Sequence, residues 1–355
     1  MLWYQWIFLN TDELPGVTIY FLSKRNSTSP RFFPLYENTS QVRIVLVNGS
    51  YLPYLDYIYL RFLRFFLVIF KWKFSKYKYF FCLDIPSSVG INTNQILQID
   101  DPSYSQHELH LMKQWESHVK KSGLSSKIIV TTSYMKNYFE QNGIESSIEI
   151  ISQGFSPHKV NVQQQKISNN ESAFKLVFIS PYIDTAGDPH AGHHMWDSSI
   201  LLDEIWPSVN NHRDIELHLI GRTGRNATKK LQSDNVFLHG FMSITQVSNV
   251  LPSFDLALYP RMYDNRWQPQ KLVEYMGAVV PILAFDLNDT KIIRELSIGM
   301  LVNSAAEFIS SIFYLNSNRS VLENYRLNCL INREKYTWRN LGQKLDRILE
   351  NSESL

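Results

Sequence analysis

Cysteine is almost missing from this chain: Cys82 and Cys329 are the only two in 355 residues, far apart and each in apolar surroundings. That excludes a disulfide framework and favours reduced, structural thiols and a cytoplasmic setting. Long hydrophobic runs are lacking as well. In the most apolar region the longest is Phe65 to Phe70, against the roughly 20 residues that span a bilayer. The opening residues, Met1-Leu2-Trp3-Tyr4-Gln5-Trp6, carry no basic stretch, and Asn10 to Glu13 interrupt the apolar run, so no secretory leader is expected. Charge of one sign is lacking too. The net charge is +2, and without a recognition motif nucleic acid is not an expected partner. His190, His193 and His194 cluster, but no Cys or second His group stands near them in sequence. A closed zinc site needs about four ligands in defined spacing, so no metal is expected; a loop facing the ligand cleft is, or else an ordinary polar loop.

What is present is core material: 44% of residues are hydrophobic and 19% charged, which describes a globular protein. The length exceeds what one core usually supports, so two domains are expected. Strand-like runs at Val17 to Leu22, Val42 to Val47, Tyr79 to Leu83, Ile96 to Ile99, Lys127 to Thr132 and Ile148 to Ile151 alternate with helical patterns at Leu55 to Lys73, Gln106 to Lys121 and Tyr134 to Gln141. A polar stretch then precedes a second round of the same alternation. This predicts an α/β fold of two Rossmann-like domains with parallel sheets facing a central cleft. The boundaries are a first domain over 1–155, a linker over 156–172, a second domain over 173–335, and a C-terminal helix over 336–355 that returns to the first domain. The tail from Val321 to Glu350 reads as helical throughout, with Tyr325, Leu327, Ile331, Tyr336, Trp338, Leu341, Leu345 and Ile348 as anchors. In the second round, Ser243 three residues before Gln246 fits a capping box.

The most informative segment is Pro269-Gln270-Lys271-Leu272-Val273-Glu274-Tyr275-Met276-Gly277, followed by the apolar run Ala278 to Ala284. It reads as a short helix between strands, with Pro269 in the first turn and Gly277 at the stop. At 100° per residue, Gln270, Lys271, Glu274 and Tyr275 share one arc, with Leu272, Val273 and Met276 opposite. A Lys–Glu face beside a helix N-terminus, where backbone N–H groups attract phosphate, points to a nucleotide site. An ordinary surface helix with an i,i+3 ion pair is the plain alternative.

The segment closely resembles the donor-site signature of the family-4 retaining glycosyltransferases, which have the two-Rossmann, B-type fold. Further stretches resemble the family in order: the strand Leu217-His218-Leu219-Ile220-Gly221, the nucleobase segment Val236-Phe237-Leu238-His239-Gly240-Phe241, and the strand Ser253 to Pro260. The resemblance implies a hexosyltransferase that uses a UDP- or GDP-sugar as donor, needs no further cofactor, and acts with retention on a glycan or lipid-linked acceptor in polysaccharide biosynthesis. It implies that Glu274 holds the ribose, that Lys271 holds the diphosphate with Arg222 or Arg225 as alternatives, and that Gly221, Gly240, Phe241 and Pro269 line the nucleotide. Asp264 or Asp100 would meet the sugars.

Three departures stand beside it. Arg266 occupies the usual place of the family's first Glu, Pro181 to Trp196 holds no Arg or Lys to grip phosphate, and the Gly-rich loop after the first strand is missing. They leave two other readings open: a non-catalytic sugar- or partner-binding protein, and a nucleotide-sugar epimerase on the same fold. From Tyr57 to Leu83 there are six basic residues and no acid, and Arg61, Arg64 and Lys71 share one helical face. That face suits peripheral contact with an anionic membrane at its inner side, or equally a helix packed on the sheet with its basic edge in water.

Overall fold

The computed structural model describes residues 17–23, 42–48, 79–82, 94–99, 105–155, 173–185, 195–264 and 268–350. Arg61, Arg64, Lys71, Asp100, the expected linker 156–172, the three clustered histidines and Arg266 lie outside the described residues. The chain divides into two compact units, Met1–Ile151 with Gly342–Leu355, and Ser152–Leu341.

In the first unit β1 (Val17–Ser23) pairs in parallel with β2 (Val42–Asn48). A four-stranded parallel sheet runs in the order β3 (Tyr79–Cys82), β4 (Asn94–Ile99), β5 (Ser126–Val130), β6 (Ser147–Ile150). The helix α1 (Gln106–Lys121) joins β4 to β5 and buries Leu109, Met112, Trp115 and Val119, the three-and-four spacing of an amphipathic helix. Its cap is Ser105, whose Oγ accepts from Glu108 N at 3.1 Å. The helix α2 (Ser133–Gln141) joins β5 to β6 and buries Met135 and Phe139.

The second unit holds a six-stranded parallel sheet. Its members are β7 (Phe174–Ile183), β8 (Ile215–Thr223), β9 (Val236–Gly240), β10 (Leu256–Tyr259), β11 (Ile282–Phe285) and β12 (Gly299–Val302), in the spatial order β12-β11-β10-β7-β8-β9. From β7 the chain steps outward through β8 to β9, then returns to β10 and steps the other way. The order therefore reverses between β7 and β10. At such a switch point the connections leave the carboxyl ends of the two strands in opposite directions and open a crevice, the usual ligand site of open parallel sheets.

Both faces of this sheet are covered, as near-continuous apolar strands require. Phe174, Leu176 and Phe178 of β7 point into one core with α3 (Met195–Ile200), α8 (Ala305–Ser317) and α9 (Arg319–Arg333). Beyond α3 the chain continues through a π-wound turn, Leu201–Ile205, to Trp206–Val209. Val177, Ala257 and Tyr259 point into the opposite core with α6 (Gln270–Gly277), α7 (Lys291–Glu295) and Cys329. The remaining helices are α4 (Arg225–Lys230) and α5 (Ile244–Val250), and α5 starts with the full Ser243–Gln246 capping box.

The tail departs from one continuous helix. After α9 come a short 3-10 turn at Glu334–Tyr336, an extended Thr337, and α10 (Trp338–Glu350). Leu327 and Ile331 are 54% and 61% exposed rather than anchoring, because α9 turns Leu322, Cys329 and Arg333 to the sheet. From Gly342 onward α10 counts with the first unit, where Lys344 Nζ donates to Ile150 O at 2.7 Å and Lys127 Nζ to Ile348 O at 2.8 Å.

Candidate active site

The helix α6 comes after the loop that leaves β10 at the switch point. Pro269 is the residue before the helix, extended at ψ 130, rather than a member of its first turn, and no side chain caps the N-terminus. Leu272, Val273, Tyr275 and Met276 are buried. Tyr275 thus leaves the polar arc the sequence assigned it: its hydroxyl accepts from Ile179 N at 3.3 Å, where β7 begins its bulge. The left-handed residue that stops the helix is Val279, at φ 61, and not Gly277. Gly277 is required for another reason, since a Cβ there would stand 2.5 Å from Phe155 Cδ2.

Lys271 and Glu274 are the polar residues that α6 presents near the switch point. The Lys271 ammonium is out of solvent and lies 5.5 Å from the centroid of the Phe178 ring and 6.0 Å from that of Tyr259, one ring from each of the two strands that define the switch. Those ring faces attract a cation while keeping water away. Burial pushes the Glu274 carboxyl up to about 7, against the opposing pulls of a hydrogen bond from Gln270 and the charge of Lys271.

The strand ends beside β7 carry the other candidates. Ile220 pairs with Gly240 across β8 and β9. Gly221 at φ 145 brings β8 so close to β7 that a Cβ would meet Ser180 O at 1.7 Å. The exposed Arg222 guanidinium lies 5.8 Å from the Phe241 ring centroid, and Phe241 is itself 68% exposed. The structure therefore groups Gly221, Arg222, Gly240 and Phe241 on the neighbouring carboxyl ends of β8 and β9. In the next loop, after β10, the Asp264 carboxylate accepts from Asn288 Nδ2.

Sequence reasoning missed Asp184. It is fully buried at the end of β7, and its Oδ1 accepts from Thr185 N at 2.8 Å and Ala227 N at 2.7 Å, capping α4 from outside in place of Gly224. A cap supplied from 43 residues away leaves no local signal.

Residues 192–318 match the family model of the glycosyl transferases group 1. This stretch is similar to the group 1 glycosyl transferases. The site residues from Gly221 to Glu274 fall within it, and Asp100 falls outside. The whole chain shares its fold with two-domain glycosyltransferases of the B type. Sucrose-phosphate synthase from Thermosynechococcus elongatus superposes with a TM-score of 0.69 at 12% identity, over 99% of this chain and 93% of that one. HepE from Anabaena, solved with UDP and glucose, gives 0.63 at 11% identity over 93% and 98%. A glycosyltransferase from Rickettsia africae gives 0.64 at 10% over 95% and 98%. No curated protein matches in sequence. Within the matched stretch α6 follows the loop that leaves β10 at the switch point of the sheet, and among the described residues no helix is long and apolar enough to cross a membrane.

Proposed function

We propose that this protein is a retaining hexosyltransferase that moves a sugar from a UDP- or GDP-sugar to a glycan or lipid-linked acceptor. The observation that carries the reading is the seat of the Lys271 ammonium over Phe178 and Tyr259 at the switch point, with Glu274 one turn along the same helix. Departure of the nucleoside diphosphate develops negative charge, and a fixed, poorly hydrated cation beside a helix N-terminus stabilises it with little reorganisation. The Glu274 carboxylate accepts from the ribose hydroxyls. Arg222 and Phe241 border the base, and Asp264 faces the transferred sugar, with Asp100 as the acceptor-side candidate. The UDP held by HepE supports the choice of donor class. Work in the cytoplasm, with Arg61, Arg64 and Lys71 resting on an anionic membrane, suits a lipid-linked acceptor.

The test is calorimetric titration of UDP, GDP and ADP into the wild type and Glu274→Ala. One nucleotide is expected to bind the wild type and to lose about 100-fold in affinity to the variant, the cost of leaving two hydroxyls without their charged acceptor. If none of the three binds, the donor site does not exist. Arg266 at the place of the family's first Glu favours a second reading, a non-catalytic binding protein. Slow release of free sugar from the donor without acceptor marks the enzyme, and binding with no turnover marks the module. Appearance of an isomerised donor would mark an epimerase.

The Glu274 carboxyl also sets a pH dependence. Its folded value near 7 lies above the ordinary 4.5, so the folded protein holds one more proton than the unfolded chain between those values. The stability this contributes is complete below pH 4.5 and is lost as pH rises through 7. Nucleotide binding runs the other way, because the ribose is bound by the ionised form. Affinity for UDP is expected to tighten by up to about tenfold from pH 6 to pH 8, one proton being released on binding. The same titration on Glu274→Gln carries the phosphate's own ionisation, and the difference between the two curves isolates the carboxyl. Parallel curves would remove Glu274 from the site.

A further inference from the structure

The segment Ser152–Phe155, with which the second unit begins, is gripped along the length of α6. Gln153 N donates to Gln268 Oε1 at 3.1 Å, Gln270 Nε2 donates to Gly154 O at 2.5 Å, and the Phe155 ring fills the place where Gly277 has no side chain. Phe155 N donates in turn to Tyr336 O at 3.0 Å, and the Arg333 guanidinium lies 5.5 Å from the Phe155 ring centroid. The chain therefore enters this unit directly against the face of the helix that carries Glu274, along which Gln270, Glu274 and Gly277 follow one another a turn apart.

Gln270 makes a second donation. The same Nε2 reaches Glu274 Oε1 at 3.4 Å, one turn further along, while Gln270 Oε1 is buried with no hydrogen-bond partner among the described residues. Both neighbours of the amide nitrogen are acceptors, a peptide carbonyl and a carboxyl. Only the NH2 group can satisfy both, so this orientation of the amide is the one that chemistry allows.

We propose that Gln270 is a positioning residue for the donor site: a single amide holds the Glu274 carboxylate in the orientation that meets the ribose and ties it to the Gly154 carbonyl. The proposal rests on the donor-site reading of Glu274 and deepens it, because it says what fixes the carboxylate before the nucleotide arrives. A hydrogen bond to the ionised form offsets part of the cost of burying it. Of the charged and titratable groups around Glu274 among the described residues, Lys271 acts on it directly. Of the elements packed on α6, α9 brings Arg333, which lies against Phe155 and Glu334, and the Glu334–Tyr336 turn brings Tyr336, which faces Glu295; within α6 itself the Tyr275 hydroxyl accepts from Ile179 N. Gln270 is thus the neutral group left to orient it.

The test uses the full chain, labelled with carboxyl 13C in its glutamates, with the Glu274 resonance assigned by its loss in Glu274→Gln. In Gln270→Met, which keeps length and apolar volume but no donor, the Glu274 titration midpoint is expected to move upward. UDP affinity at pH 7 is expected to fall about tenfold and to recover as the pH is raised. Gln270→Asn, whose shorter amide cannot serve both acceptors, is expected to shift the midpoint the same way and guards against a fold defect special to methionine. An unchanged midpoint in both variants overturns the clamp. A shifted midpoint with unchanged UDP affinity overturns its role in donor binding. If the wild type binds neither UDP nor GDP, it is the donor-site reading that fails, while the carboxyl titration still decides whether Gln270 holds Glu274.

Discussion

Lys271→Met is expected to lower kcat by about 100- to 1000-fold, the loss seen when one preorganised group that meets developing charge is removed. The methionine keeps the unbranched stem against Phe178 and Tyr259 and deletes the charge alone. Lys271 Nζ is out of solvent and its charge acts on the buried Glu274 carboxyl, so its removal ends one desolvation cost and leaves that carboxyl without its cation; the two offset, and Tm is expected to move little while turnover collapses. Lys271→Arg should not restore the rate, since a planar fork needs bidentate room that a seat between two rings does not give. Arg222→Ala, on an exposed side chain at the end of β8, is expected to change kcat only a fewfold. Steady-state kinetics on the three variants checks this, and an unaltered kcat in Lys271→Met would move the diphosphate contact to Arg222 or Arg225. The Lys271 charge is also one of the two influences that lower the Glu274 pKa. Without it, donor affinity in Lys271→Met should depend more steeply on alkaline pH than in the wild type.

The sequence made the site legible wherever the signal was local. Ser243 and Gln246 sit three apart because a capping box needs that spacing, and the box is present. Lys271 and Glu274 are three apart on a short helix after an apolar strand, and they share its polar side near the switch point. The signal failed where distant packing decides the outcome. Tyr275 shares the polar arc by angle, yet its hydroxyl is drawn to an amide on β7 that opens only because the strand bulges between Ile179 and Tyr182. Gly277 resembles a helix stop, but its missing side chain serves the Phe155 ring, contributed from more than 100 residues earlier. Leu327 and Ile331 fit an apolar repeat and yet lie outside, because which face of α9 is buried depends on where the sheet stands. The reversal of strand order between β7 and β10, on whose strands stand the two rings beside Lys271, is a property of the assembled sheet alone.

Gly221→Ala is expected to be strongly destabilising to the second unit. The residue sits at φ 145, where an L side chain is strained whatever the space, and its Cβ would lie 1.7 Å from Ser180 O and 2.9 Å from Ser180 C. Both obstacles are backbone, so no rotamer change relieves them, and β7 must part from β8 at its bulge. A cost of about 3 kcal/mol or more is expected from the combined strain and overlap, read as a fall in Tm of roughly 6–12 °C. Parting the strands also moves Arg222, which pairs with Tyr182 in this register, so nucleotide affinity should fall even below the melting transition. Gly240→Ala is the internal control. It too has a positive φ, 69, but nothing stands within 4 Å of its Cβ position, so it should lose only the roughly 1–2 kcal/mol of a left-handed residue. If the two variants melt together, Gly221 is present for its conformation alone and the close approach of β7 to β8 is not what shapes the site. If Gly221→Ala melts well below Gly240→Ala and binds UDP more weakly at 25 °C, the contact between Gly221 and Ser180 is what holds the strand ends at the spacing the nucleotide needs.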